Sequence, residues 1–457
     1  MQFPGRGLIV LVLPVAVAAV AGCSTYSRQA PAIREALLND DYDRAIKAVD
    51  KISRSSSELL YCYELGTVLH EEGDYAASNA TFERAEEVFD ELYTRSISRE
   101  IGAAVINEGI VKYRGDAFEA VLVNYYKILN YLFLGDVDGA LVECRRLNQK
   151  LQVIHDAGET YFVDDPFLQY LTALVYDYGG EPVSAEVSYR ASSQEYERAA
   201  TLPAPPWLPC DAAENARGVG DAAQAEEYMD SASCTLATPG QGRVAVFVET
   251  GAVARKIETG FTVPIFENDR YRSEDEFSHE LYNRRNVHYD HPVHVKYWLH
   301  VALPALQVDP PMPHRAVVRA SLQSVNRSAQ PAEVATVTVE DLDAQAQRAF
   351  TEKQPTVVLR AIARALAKYL ASETASKKDE GLGTLVNLLG VVTETADTRS
   401  WTTLPRAIEM ARLDLDPGTY RIDIDVTDPR GLLLVHQSFS DVTVVANGLE
   451  VRRVRIR

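Results

Sequence analysis

From Ile33 onward, apolar residues recur every three or four positions, the spacing that gives an α-helix one buried face. The segment Leu59–Asp90, LLYCYELGTVLHEEGDYAASNATFERAEEVFD, shows how this pattern is punctuated. Leu65-Gly66 lies one helical stretch ahead of Gly73-Asp74-Tyr75, and Ser78, Phe82 and Ala85 follow. Small residues at 66 and 78 let two antiparallel helices approach closely. Gly73 turns the chain, and Tyr75 and Phe82 fill the space between the helices. Weaker versions appear at Asp41-Tyr42 with Ala45 and Ala48, and at Tyr131, Gly135-Asp136, Ala140 and Leu147. Two more follow, at Tyr176, Gly180, Ala185 and Tyr189, and at Gly220-Asp221, Ala225, Met229 and Ala232. The run PAPPWLP at 203–209 is stiff and extended, suited to a spacer before the last hairpin or to a strand docked along the helical groove.

Thr238-Pro239-Gly240-Gln241-Gly242 ends the helical pattern, and beyond it the period changes. Arg243–Glu249 is β-branched and apolar, hence a strand, and 296–305, 315–325 and 334–339 predict further strands. Residues 341–350 predict a helix, and Pro355 opens a longer one over 356–372, with Leu359, Ile362, Ala363, Leu366 and Leu370 on one face. Gly381–Thr395 carries no charge between Glu380 and Glu394, so as a helix it must be buried, either in the C-terminal core, where the 356–372 helix offers a matching face, or against a partner or lipid surface. The remainder is all strand: 411–414, 418–427, 432–439, 442–445 and 449–456. Residues 418–426 alternate cleanly, which leaves one face of that sheet in water.

The Gly-turn hairpins resemble tetratricopeptide repeats, although the turn glycines at 73, 135, 180 and 220 are 62, 45 and 40 residues apart, where that repeat uses about 34. The resemblance implies an irregular stacked array with a concave face. Tyr61, Tyr63, Tyr113, Tyr125, Tyr126, Tyr131 and Tyr170 fall in this region. Tyrosine suits both recognition and packing between repeat helices; Tyr61, Tyr125, Tyr126 and Tyr131 are the candidate protein-binding residues.

At the start of the chain Arg6 precedes an apolar run, Leu8–Ala21, which ends in Val20-Ala21-Gly22-Cys23-Ser24. A short apolar run ending in small residues is a signal peptide, too short to span a bilayer. The small residues fit a narrow peptidase cleft beside the Cys23 thiol. This resembles the lipobox of bacterial lipoproteins. The resemblance implies cleavage before Cys23, diacylation of its sulfur and acylation of its new amine. Ser24 rather than Asp implies export to the outer membrane. Residues 1–22 are then the signal, 23–32 a polar tether, 33–237 the helical repeats and 243–457 an α+β domain ending in an antiparallel sheet or sandwich.

Charge narrows the partners. A net charge of −19 makes the chain a poor binder of polyanions, so neither nucleic acid nor an anionic membrane surface is expected as a direct partner, while a basic or neutral protein or a glycan stays open. With Cys23 assigned to lipid, four cysteines are left: Cys62, Cys144, Cys210 and Cys234. Four allow three connectivities. Cys62 and Cys144 lie on apolar helical faces, where a free buried thiol is the common outcome. Cys210 and Cys234 flank the last hairpin, and antiparallel helices would bring them together.

Catalytic chemistry finds no foothold. His279, His288, His291, His294 and His300 cluster beside Asp290, but Pro292 bars a helical metal site, and on a strand 291 points away from 288 and 294. The sequence has no Gly-rich phosphate loop, no Gly-x-Ser-x-Gly and no Ser-x-x-Lys. No metal, cofactor or enzymatic activity is therefore expected. The most distinctive late run is Asp397-Thr-Arg-Ser-Trp-Thr-Thr-Leu-Pro405. Trp401 and Arg399, with Asp397, suit it to pinning the last helix to the final sheet. Together with the lipobox, the divergent repeats and VVLRAIARALAKY at 357–369, it resembles an uncharacterised family of bacterial tetratricopeptide-repeat lipoproteins. The expectation is a non-catalytic, periplasm-facing outer-membrane lipoprotein that binds a protein partner through its repeats and the membrane through Cys23. The alternatives are an accessory factor of cell-wall synthesis, binding peptidoglycan or a synthase, and, third, a periplasmic hydrolase.

Overall fold

The structure, a computed structural model, describes residues 26, 29–52, 54–94, 112–156, 165–199, 202–230, 232, 234, 236–266, 295–323, 331–376 and 395–457. The lipobox with Cys23, four of the clustered histidines (279, 288, 291 and 294) and residues 381–394 lie outside them.

The N-terminal half is a series of helical hairpins. Residues 29–38 form α1, followed by α2 (Tyr42–Val49), α3 (Arg54–Glu72), α4 (Tyr75–Thr94), α5 (Ala117–Phe133) and α6 (Val137–Asp156). Then come α7 (Pro166–Tyr178), α8 (Pro182–Ala199), α9 (Leu208–Gly218) and α10 (Ala222–Asp230). Gly73, Gly135, Gly180 and Gly220 all adopt positive φ, between 74° and 92°, at the turns of four hairpins. This left-handed conformation ends a helix without the steric cost a Cβ would bring. At three of these turns the next residue caps the following helix. Asp74, Asp136 and Asp221 accept the backbone N–H of Ala77, Gly139 and Gln224 at 2.9–3.0 Å. Gly-Asp is thus one device that ends a helix and starts its partner. Gly66 lies under the Phe82 ring, where a Cβ would sit 2.5 Å from a ring carbon. The 203–209 run is the spacer, leading directly into α9, with Pro209 in its first turn.

The strand-rich half begins with β1 (Gly242–Thr250), β2 (Arg255–Phe266), β3 (Val295–Gln307), β4 (Arg315–Leu322), β5 (Ala332–Ala335) and β6 (Val337–Asp341). After the long helix α11 (Leu342–Ser376) come β7 (Ala407–Leu415), β8 (Gly418–Thr427), β9 (Leu433–Val444) and β10 (Leu449–Ile456). One sheet has the order β10-β1-β7-β6, a second β5-β4-β8-β9, and β2 and β3 form a separate antiparallel hairpin. The expected antiparallel sheet needs one correction: β10 runs parallel to β1. Strand periodicity reports which face is apolar, not which neighbour a strand takes or in which direction. A second correction concerns α11, a single helix through Pro355 rather than two. Pro355 sits in an exposed stretch, where the carbonyl freed by its missing N–H can turn to water.

The two four-stranded sheets pack face to face around Val244, Val246, Val248, Val318, Ile422 and Ile424. The other face of β1, with Ala245 and Phe247, belongs to the core that also holds the repeat helices. Every β1 residue is therefore buried, and the layers run helices, sheet, sheet. The helical and strand-rich halves share one core, from Tyr26 to Val451. A third, smaller core joins the hairpin to the second half of α11 through Ile265, Tyr297, Leu299, Ala365 and Tyr369. Among the described residues, no helix is long and apolar enough to cross a membrane.

Candidate functional site

The inner face of the repeats is occupied by the chain's own C-terminal half. Trp401, fully buried, stacks on Tyr63 with ring centroids 4.4 Å apart and lies 5.9 Å from Phe82 and from Tyr126. Its indole N–H is shared between the Thr67 and Thr403 hydroxyls at 3.0 and 2.9 Å. The backbone N–H groups of Trp401 and Thr402 donate to the buried carboxylates of Glu119 and Glu64 at 2.8 and 2.9 Å. Burial pushes both carboxyl groups up from their ordinary range, and the strap N–H bonds oppose that rise. Arg399 pairs with Asp397 at 2.6 Å and lies over the Tyr113 ring. The 397–405 run therefore pins the sheet to the repeats, and Trp401 stacks on Tyr63 rather than on Arg399.

Two charged clusters close the same interface. In the first, Glu249 of β1 accepts from Arg453 and from the Tyr125 hydroxyl at 2.9 Å, while Arg453 also reaches Glu71 of α3. In the second, Asp211 of α9 meets Arg243 at 2.8 Å and Arg412 at 2.5 Å, and both arginines also pair with Asp414. Tyr170 donates to Asp211 at 2.7 Å. Buried ion pairs of this kind add little net stability but penalise any arrangement that leaves one partner alone.

These contacts correct the tyrosine assignment. Tyr125 and Tyr126 are fully buried under the sheet and cannot meet a partner. Tyr131 is partly buried against the helical core. Tyr61 keeps part of its ring in water, but Arg54 covers it at 4.1 Å and its hydroxyl contacts Asp50. Helical spacing placed the tyrosines on inner faces; that the same chain fills the groove is a long-range fact that spacing does not carry. Cys210 and Cys234 are joined by a disulfide, with Cα atoms 6.1 Å apart. Cys62 and Cys144 are free and buried, and burial pushes the Cys62 thiol up to about 12, too protonated to be a nucleophile. His300 lies on the hairpin, its Nδ1 3.1 Å from the Thr262 hydroxyl. Among the described residues, no group of three metal-ligating side chains converges.

His70 is a buried group that sequence reading passed over. Asn130 donates from Nδ2 to Ser78 and Asn79, so its carbonyl oxygen is left to accept from His70 Nδ1 at 2.5 Å. The ring packs against Tyr126, with Tyr75 and Phe133 nearby. Burial first, then the Arg453 charge, pushes its pKa down from 6.5 to about 4. Folded His70 stays neutral while unfolded His70 takes up a proton, so stability drops as pH falls from 6.5 towards 4, by about 3 kcal/mol from this group. His70→Gln keeps a donor for Asn130 without titrating. Urea unfolding at pH 7 and pH 4.5 should show a smaller acid loss in the variant; equal losses would remove His70 as the cause.

The surface left for a partner is on the outside. The apolar face of the β2–β3 hairpin packs on α11, so alternation turns Trp298 and His300 the other way. Trp298 is 55% exposed, opposite Pro264. The strand expected over 296–305 already carried this signal, with Trp298 and His300 sharing the non-apolar face.

No family profile matches the chain, and no curated protein does. Among the similar solved structures are three helical-repeat proteins. MamA from Desulfovibrio magneticus RS-1 is 14% identical, over 45% of this chain and 92% of that one, with a TM-score of 0.29. The TPR-like repeats of a Podospora anserina kinesin light chain are 14% identical, over 46% and 93%, at 0.31. The TPR2AB domain of yeast Sti1, solved in complex with an HSP90 peptide, is 13% identical, over 45% and 76%, at 0.21.

Proposed function

We propose that this protein is a non-catalytic interaction scaffold, held on the periplasmic side of the outer membrane by lipid on Cys23, that binds a protein partner through its outer surface rather than its repeat groove. One observation carries the binding surface: Trp298 stands half in water, on the part of its hairpin face beyond Ala302, which is buried, and Leu306, which packs on the main core. Exposed tryptophan is costly to leave in water and dominates binding energy when a partner buries it. The groove that such repeats would otherwise offer is filled by Trp401, Phe247 and their neighbours. The periplasmic, outer-membrane placement rests on the lipobox and Ser24.

Trp298→Asp tests the surface. The site is exposed, so melting should stay within about 0.5 kcal/mol of the parent. Mild crosslinking of the tethered protein, purification and mass spectrometry should find a partner that the variant loses, with binding at least about thirtyfold weaker. A partner set identical in parent and variant would place the binding surface elsewhere.

A further inference from the structure

The N-terminus contradicts the expected tether. Tyr26, three positions after Cys23, is 3% exposed and belongs to the main core. Its hydroxyl lies against the Glu64 carboxylate at 2.9 Å, the Ser400 carbonyl and the Thr402 hydroxyl at 3.4 Å. Ser400 and Thr402 belong to the Trp401 strap, and Glu64 is a carboxylate that holds it. Residues 29–38 are already helix, with Ala30, Ile33, Ala36 and Leu37 buried. The chain is therefore fastened to the body at Tyr26, and three extended residues reach at most about 11 Å.

That short reach selects one face of the molecule. Arg34, on α1, is within electrostatic range of Tyr26, Arg255 and Asp309. Arg255 bridges Asp309 at 2.5 Å, and the Asp309 carbonyl accepts from Arg406 at 3.0 Å. Tyr26 bonds to Ser400 and Thr402, and Arg406, four residues further along the same strap, holds Asp309, so the loop Val308–Pro313, VDPPMP, lies at the end of the strap that fastens the N-terminus. Val308 and Met312 are 40% and 68% exposed, and Pro310, Pro311 and Pro313 are exposed as well. A stiff tip with Val308 and Met312 exposed and the Asp309 carboxylate paired with Arg255 matches a bilayer surface, with methionine and valine entering the acyl boundary.

We infer that the protein is seated on a phospholipid bilayer rather than hung from it, with the Val308–Pro313 loop in the headgroup layer. This rests on the reading of Cys23 as lipidated. The lipid argues for a bilayer as occupant, because acyl chains on Cys23 would bring a membrane to within three residues of this face. The seating also fixes orientation, so that a partner meets the same outer surfaces on every copy.

The test uses the mature acylated protein in vesicles of phosphatidylethanolamine and phosphatidylglycerol. Met312→Cys carries a bimane label on the loop, and Val183→Cys, exposed on α8, carries it on the fourth hairpin. Cys62 and Cys144 are buried, which confines labelling to the introduced thiol. Lipids with a spin label near the headgroup should quench the 312 label several-fold more than the 183 label. Flotation reports the anchor separately. Protein that floats with equal quenching at both sites overturns the seating and leaves the anchor intact. Protein that does not float overturns the anchor and the seating with it. Inserting a flexible Gly/Ser linker of about 20 residues between Ser24 and Thr25 should preserve flotation and abolish the difference in quenching. Quenching that survives the linker would mean the short reach does not set the seat.

Discussion

Trp401→Ala will cost about 3–5 kcal/mol of stability, because it empties a fully buried indole site and strands its polar partners. The ring is shared between Tyr63 of α3, Phe82 of α4 and Tyr126 of α5, so no single hairpin can relax into the void. The Thr67 hydroxyl would lose the indole donor while keeping its own bond to the Tyr63 carbonyl. Trp401→Phe separates the two effects. It keeps much of the stacking and loses only the N–H, so about 1–2 kcal/mol is expected. Because the strap joins the two halves, helical content and sheet-side tertiary signal should be lost in one transition for the parent. They should separate or broaden in Trp401→Ala. A variant that melts within 1 kcal/mol of the parent, measured by urea titration followed by circular dichroism and tryptophan fluorescence, would show that the strap does not hold the halves together.

Much of the helical architecture is written locally. Gly73, Gly135 and Gly220 with their following aspartates stand at hairpin turns because φ and capping are decided within four residues. The unequal spacings between turns did not disturb that reading. Trp401 and Arg399 stood out as an uncommon run suited to pinning, but the expected link, last helix to final sheet, is corrected to a link of strap to repeats. What they pin was not legible: Trp401 meets Thr67 from 334 positions away, and Glu119 from 282. Local patterns carry no information at that range. The same blindness put Tyr125 and Tyr126 on a binding face, when Phe247 and Glu249 of β1 cover them. It also made 23–32 a tether, since nothing in a polar decapeptide says that its one aromatic residue, Tyr26, finds a buried carboxylate. A clue did exist at Glu249. An acidic residue ending an otherwise apolar strand buried on both faces needs cationic partners, and the arginine-rich C-terminus VRRVRIR supplies them.

Glu249→Gln will cost about 3–5 kcal/mol, the loss expected when one partner is removed from a buried charge cluster. Glu249 is fully buried on the helix-facing side of β1. It receives Arg453 Nε at 2.8 Å and the Tyr125 hydroxyl at 2.9 Å, and lies 3.5 Å from Arg455. Glu71 is the other buried carboxylate here, shared with Arg453 and Arg457. Burial alone would raise both acids, but the arginines outweigh it: Glu249 is held below its ordinary value and Glu71 falls to about 2. Acids depressed in this way give stability that is full above the unfolded value near 4.5 and lost as pH falls towards 2. The amide keeps the shape and removes the charge, leaving Arg455, whose cationic form burial already disfavours, without its nearest anion. Urea titration at pH 7 should therefore show the full loss, and the gap between variant and parent should narrow at pH 3, below the unfolded value, where the parent has given up part of the stability that its charge confers. Adding Arg455→Met to Glu249→Gln should recover part of the stability, since it removes the cation left unpaired. A double variant no more stable than Glu249→Gln would mean that the loss lies in the hydrogen bonds to Tyr125 and Arg453, and that the buried charge balance does not govern how sheet and repeats are held together.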